Sequence, residues 1–218
     1  MVETFHSLQG EGLHAGRSAF FIRLGGCQVG CSWCDTKHSW PQDVHPSQSL
    51  EELAAATQRA AANGAAFVVI TGGEPLHHDL DPLCAVLQAQ GRDPQGHSLP
   101  LHLETSGVDP LSGHFDWITL SPKPHRPPRQ ELLAACDELK VIVHDESDLT
   151  FAETMAAATA TAESATAAAN NQSRPSGPAL LLQPGHGCRK GQELAIEFVK
   201  AHPQWRLSLQ SHKWLGVR

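Results

Sequence analysis

The segment Gly25-Gly26-Cys27-Gln28-Val29-Gly30-Cys31-Ser32-Trp33-Cys34-Asp35-Thr36 follows an apolar run over residues 19–24 and packs three thiols into eight residues. A closed structural zinc site takes four nitrogen or sulfur ligands, and an iron-sulfur cluster held by protein alone takes four cysteines. A trio spaced this tightly reads as a cluster with one iron left open to a small molecule. A disulfide framework does not fit, because six cysteines are scattered through 218 residues that lack the character of a small secreted domain. A zinc knuckle completed by His38 is the competing metal reading, although zinc pairs usually come as Cys-x2-Cys with a second pair far along the chain. Cys84 and Cys136 lie in apolar, helix-like patterns where a buried free thiol is the ordinary outcome. Cys188, in a glycine-rich loop, is the one candidate for a fourth ligand, and an incidental role is favoured for it.

Outward from this loop the chain alternates between strand and helix patterns. Residues 19–24 read as a short buried strand broken by Gly25-Gly26, with Arg23 set inside it. An arginine there needs an anionic partner, and both a ligand carboxylate and a structural ion pair satisfy its planar fork. Residues 5–12, ahead of that strand, combine glycines with polar side chains suited to gripping a ligand and read as a turn. Ser49 and Glu52 form the capping-box pattern of a helix within 46–63, ended by Gly64. The β-branched strand over 67–71 runs into Gly72-Gly73-Glu74-Pro75, where glycines let a ligand approach the backbone. Further helices are expected over 80–90, 129–137 and 190–201, and strands over 101–105, 117–120, 139–143, 179–183 and 206–210. Such alternation predicts parallel βαβ units with polar residues gathered at one rim, where barrel-type α/β folds carry their chemistry. Periodicity alone does not separate that barrel from an open doubly wound sheet. The Ala/Thr-rich tract over 155–177 breaks the pattern and reads as an inserted surface helix followed by a flexible loop.

At this length the chain can bury one sizeable core, and a single domain over 1–218 is expected. The formal net charge of −7 argues against a non-specific nucleic-acid binder. No apolar run is long enough to span a bilayer and the first residues show no leader pattern, so a cytoplasmic protein without a membrane partner is expected.

Cys-x3-Cys-x2-Cys with Trp33 before the last cysteine, followed one strand later by Gly72-Gly73-Glu74-Pro75, resembles the radical S-adenosylmethionine (SAM) superfamily. Other residues are similar to those of the 7-carboxy-7-deazaguanine synthases: Ser7-Leu8-Gln9-Gly10-Glu11-Gly12, Arg23, Cys34-Asp35-Thr36, Ser121-Pro122-Lys123, Leu182-Gln183-Pro184 and His212-Lys213-Trp214-Leu215-Gly216. This resemblance implies a partial, TIM-like α/β barrel of mostly parallel strands. It implies a 4Fe-4S cluster on Cys27, Cys31 and Cys34 whose open iron is chelated by SAM, with Mg²⁺ as a further cofactor. The activity implied is ring contraction of 6-carboxy-5,6,7,8-tetrahydropterin to 7-carboxy-7-deazaguanine with release of ammonia, on the way to queuosine. Hydrogen would leave the carbon bearing the carboxylate and later return, so that SAM is regenerated. Carried over by position, Leu8, Gln9, Gly10, Glu11, Arg23 and Thr71 would contact the pterin, with Arg23 clamping its carboxylate. Trp33, Asp35, Gly73, Ser106, Ser121, Pro122, Lys123 and Gln183 would contact SAM, and Thr36 would bind Mg²⁺. A homodimer and a one-electron donor such as a flavodoxin or ferredoxin are implied as well. The nearest alternative is a radical SAM activase of a glycyl-radical enzyme, against which Arg23 and the Gln9-Gly10-Glu11 grip argue. A zinc-stabilised binding module without catalysis is the rival from another class.

Overall fold

The computed structural model describes residues 1–170 and 177–218, of which 163–170 are described as backbone only. In chain order its elements are β1 (Glu3–Leu8), β2 (Ser18–Leu24), α1 (Leu50–Ala62), β3 (Val68–Gly72), α2 (Asp81–Gln90), β4 (Leu101–Thr105), β5 (Trp117–Leu120), α3 (Gln130–Ala135), β6 (Glu138–Val143), α4 (Glu146–Asn170), β7 (Ala179–Pro184), α5 (Arg189–Ala201), β8 (Trp205–Leu207) and α6 (Ser211–Leu215). The strands form one sheet in the order β1 to β8. β1 and β2 pair antiparallel, and every later neighbour pairs in parallel. A doubly wound sheet reverses its strand order at a switch point. This sheet never does, and β8 makes no ladder with β1, so the chain winds one way into an open barrel.

Side chains along each strand alternate between two environments. Phe20, Ile22, Val68, Ile70, Leu101, Leu103, Leu120 and Val141 pack with the helices in the main apolar core. Their neighbours on the other face are largely polar yet buried: Thr71, His102, Thr119, Glu138, Lys140 and Gln183. Only a small apolar plug of Ala19, Phe21, Phe67 and Val69, with Phe5 against it, occupies that face. The barrel is thus sealed from outside by helices and left polar within.

α1 starts where its capping box places it, Glu52 N–H donating to Ser49 Oγ at 3.1 Å and Ser49 N–H to Glu52 Oε2 at 2.8 Å. Three expectations change, and a fourth falls outside the described residues. Residues 5–8 are not a turn but the end of β1, an edge strand anchored by Phe5, which stacks on Phe21 at 4.8 Å. The helix placed in the 155–177 tract begins at Glu146, and Ala152, Thr159 and Ala162 are buried, so α4 is part of the core rather than a surface addition. The loop expected after it, over 171–176, lies outside the described residues. β8 is only three residues long: Ser208 Oγ accepts from Gly12 N–H at 3.0 Å and the chain then turns across the gap towards β1, where Ser211 N–H donates to Gly10 O at 2.9 Å. Among the described residues no helix is long and apolar enough to cross a membrane.

Candidate active site

Cys27, Cys31 and Cys34 share the wall of a cavity of about 220 Å³ at the rim where the parallel strands end. The loop bearing them is pinned to the end of β3. Gly73 N–H donates to Leu24 O at 3.0 Å and Glu74 N–H to Gly26 O at 2.9 Å. A Cβ at Gly73 would collide with the Gly26 carbonyl oxygen and stand 2.8 Å from the Cys27 Cβ. The glycine pair therefore serves first to let two backbones meet, and only the Gly73 backbone remains on the cavity wall. Glu74 is buried and saturated, accepting from Leu76 N–H at 3.2 Å, Thr105 Oγ1 at 2.5 Å, Ser106 N–H at 2.8 Å and the Ser106 hydroxyl.

Four residues that the sequence reading passed over hold the cysteine loop from outside. His78 Nε2 donates to Gly25 O at 2.7 Å, and His125 Nε2 to Val29 O at 3.1 Å. Arg126 Nη1 donates to Gln28 O, while Gln28 N–H donates to His77 Nε2 at 3.0 Å. His77 in turn donates through Nδ1 to Asp109, which fixes its tautomer. Nothing local in the sequence links these residues to the loop, because they arrive on two later strand-to-helix connections, His77 and His78 after β3 and His125 and Arg126 after β5.

The donor set fits an iron-sulfur cluster. Three soft thiolate donors on one cavity wall are the ligand type that iron-sulfur clusters take. Burial raises the Cys27 and Cys31 thiols, and Lys123 opposes this at Cys31, so their protons leave as metal binds. Cys188 caps α5, its sulfur accepting from Gly191 N–H at 3.3 Å, and is not on the cavity wall. No fourth thiol faces the trio.

Trp33, Asp35, Ser106, Ser121, Lys123 and Gln183 line the same cavity, whereas Pro122 is buried in its turn and lines nothing. Lys123 Nζ donates to Ser121 Oγ at 2.7 Å, and burial pulls this lysine below its usual range, with Cys31 the main opposing influence. A second chamber of about 210 Å³ adjoins the first and shares Glu11, Asp35 and Glu104 with it. Leu8, Gln9, Gly10, Arg23, Thr36 and Thr71 complete much of its wall. Thr36 stands at the junction, its Oγ1 3.5 Å from Cys34 Sγ.

The polar residues at the junction are cross-braced. Lys140 Nζ meets Glu11 Oε2 at 2.5 Å, and Gln210 Nε2 donates to Glu11 Oε1 at 2.8 Å. Burial would raise the Glu11 carboxyl, but the Lys140 ammonium and these hydrogen bonds outweigh it and hold the group at about 2. Burial would likewise lower Lys140, and the surrounding Glu11, Glu104 and Glu138 carboxylates keep it above its ordinary range. Glu104 accepts from Gln9 Nε2 at 2.9 Å and Thr71 Oγ1 at 3.0 Å. Arg23 has the structural partner its charge requires, Nε donating to Glu3 Oε1 at 3.1 Å, and it also lines the chamber. Glu104 and Lys140 also line these walls without having been singled out, and His212, quoted only as part of the closing resemblance, joins them. The signal that exposed Arg23, a charge within an apolar strand, is equally present at Glu104 and Lys140.

An open, mostly parallel barrel whose rim brings a three-cysteine loop against Gly-Gly-Glu-Pro defines a radical SAM enzyme, and a family model described as Radical SAM superfamily matches residues 21–138. The chain is 54% identical over 218 residues to a 7-carboxy-7-deazaguanine synthase of Prochlorococcus marinus, covering 100% of this chain and 97% of that protein. It is 49% identical to the synthase so named in Synechocystis sp., over 100% of this chain and 93% of the relative. The crystal structure of QueE from Escherichia coli superposes with a TM-score of 0.71 at 32% identity, covering 96% of this chain and 92% of that one. The chain belongs to the 7-carboxy-7-deazaguanine synthase family. Membership of the superfamily brings with it a 4Fe-4S cluster and SAM.

Proposed function

We propose that the chain converts 6-carboxy-5,6,7,8-tetrahydropterin to 7-carboxy-7-deazaguanine with release of ammonia, using the first chamber for SAM and the second for the pterin. The observation that carries this reading is the pair of adjoining chambers, one walled by three thiols and the other by Arg23, Gln9 and Thr36. When bound, the cluster and SAM supply a 5′-deoxyadenosyl radical able to take hydrogen from the pterin carbon that bears the carboxylate. Trp33, Asp35, Gly73, Ser106, Ser121, Lys123 and Gln183 then form the SAM side of the wall, and Pro122 acts by shaping the turn.

Arg23 presents its Nη edge to the substrate carboxylate while Glu3 holds the Nε edge, which orients the fork before substrate arrives. Leu8, Gly10 and Thr71 shape the pterin side, and Gln9 and Glu11 are oriented for it by Glu104 and Lys140. The Glu11–Lys140 pair stays charged, so the floor of the site keeps fixed dipoles in place of mobile water. Thr36 offers one hydroxyl to Mg²⁺, with waters and the substrate carboxylate as the remaining hard ligands, a partial shell that this ion accepts. An external one-electron donor of the flavodoxin or ferredoxin kind and a cytoplasmic homodimer complete the reading.

Anaerobic incubation of the cluster-loaded protein with dithionite, SAM, Mg²⁺ and the carboxylated tetrahydropterin tests it by product mass. A product lighter by ammonia, with SAM not consumed, is expected. Absence of that product from fully loaded protein refutes the proposal. Thr36→Ala is expected to slow turnover and abolish most of the Mg²⁺ response with iron content unchanged; an unaltered metal response removes Thr36 from the assignment.

A further inference from the structure

Below the Glu11–Lys140 pair the barrel encloses a cavity of about 10 Å³, lined by His14, His102, Trp117 and Glu138 among others. Three buried side-chain polar atoms find no partner among the described residues: Glu138 Oε1, His14 Nε2 and Trp117 Nε1. All three belong to residues lining this one cavity. Buried polar atoms are nearly always paired, so three orphans on the residues around one space point to a missing common partner.

Their chemistry specifies that partner. Trp117 Nε1–H can only donate. Arg17 Nη1 lies 2.6 Å from His14 Nδ1, and because a guanidinium only donates, that nitrogen accepts and the neutral ring carries its proton on Nε2. Burial and the Arg17 charge keep this ring neutral. Glu138 Oε2 already accepts from Leu13 N–H at 2.9 Å, leaving Oε1 as the acceptor turned to the cavity. Burial raises this carboxyl and Lys140 opposes the rise. The cavity therefore wants a molecule that accepts twice and donates at least once. Ammonium cannot accept, and chloride cannot donate. A volume of about one probe sphere admits one water, which typically makes about three hydrogen bonds when buried.

We propose that one structural water is bound there, accepting from His14 Nε2 and Trp117 Nε1 and donating to Glu138 Oε1, and that it ties the 9–17 loop to β5 and β6. The loop depends on that tie because it runs hard against Glu138: a Cβ at Gly12, whose φ is +68°, would collide with the carboxylate. Gln9 and Glu11 are carried into the second chamber by the same loop, so the water positions them without touching a ligand.

Two measurements that need no turnover test this. A crystal structure of the cluster-loaded protein, at a resolution that places ordered solvent, is expected to show one peak about 2.7–3.2 Å from all three atoms in every copy. An empty cavity, or side chains turned to pair directly with one another, overturns the proposal. Hydrogen exchange read by mass spectrometry on peptides covering 9–17 is expected to quicken about fivefold in Trp117→Phe, which keeps an aromatic ring and removes the indole N–H donor, and to stay near wild type in Trp117→His, whose imidazole can still donate. Unchanged exchange in folded Trp117→Phe overturns the tie to the loop.

Discussion

Arg23 is paired with Glu3 and stands on the wall of the second chamber, where the proposed function makes it the clamp. Glu3 takes its Nε and is itself bridged by Arg218, so the guanidinium plane is set by protein on one edge and presented on the other. Arg23→Lys is expected to raise KM for the carboxylated pterin on the order of 10- to 100-fold, the loss of a charged hydrogen bond that a point ammonium does not replace. Wild-type KM in that variant removes the clamp. His102 makes a different prediction. It is buried and stacked on Phe67 at 4.2 Å, and burial, reinforced by His14 and Arg17, lowers it from 6.5 to about 3. Between those values the unfolded chain binds a proton that the folded one refuses, so stability rises with pH through the window and is lost on acidification. The span corresponds to roughly 5 kcal/mol at most. Tm followed against pH is expected to fall steeply below 6.5, and His102→Phe to flatten that fall. Arg23 was legible in the sequence as a misfit charge in a strand. The interlocked Glu11–Lys140–Glu104 group was not, because its members come from separate elements and acquire meaning only as neighbours.

The end of β3 and the cysteine loop behave as one element joined through backbone. Gly73→Ala places a methyl group against the Gly26 carbonyl, which cannot step aside without moving Cys27. Reconstituted protein carrying this change is expected to hold less than half the wild-type iron and sulfide. Gly187→Ala, where a Cβ meets nothing within 4 Å, serves as the comparison, costing about 1 kcal/mol of left-handed strain and leaving iron content intact. Equal iron content in the two variants would place the constraint elsewhere. The central parallel strands could be read from sequence because their β-branched runs have flanking glycines to mark their ends. β1 could not, being an edge strand with polar alternate positions, and β8 reads too long from sequence, because its continuation past Leu207 is set by Ser208 and Ser211. The start of α4 escapes a sequence reading although Leu149, Ala152, Met155 and Ala162 recur at helical spacing and pack on the core, because the Ala/Thr run that follows reads as a unit of its own.

At the scale of the molecule, the gap between β1 and β8 is spanned not by a ladder but by the segment after β8. Lys213 Nζ meets Asp35 Oδ2 at 2.6 Å and Gln210 Nε2 reaches Glu11, so that segment braces both chambers. Lys213→Ala is expected to raise substrate KM several-fold with iron content unchanged, and to speed proteolysis within residues 208–218. Unchanged KM and cleavage would mean that the segment is held by its backbone bonds alone. The closing motif over 212–216 was visible in sequence as a resemblance, but its function as a brace required the strand order. Contacts of this span have a further consequence for biosynthesis. Gln210 and Glu11 are separated by 199 positions and Lys213 and Asp35 by 178, so the ribosome exposes the thiols long before it makes the residues that finish their enclosure. Iron delivery to a nascent chain would meet an unfinished pocket, and oxygen would meet it too. Closing so distant a pair also raises the contact order, which slows folding, so the thiols wait longest for their cover.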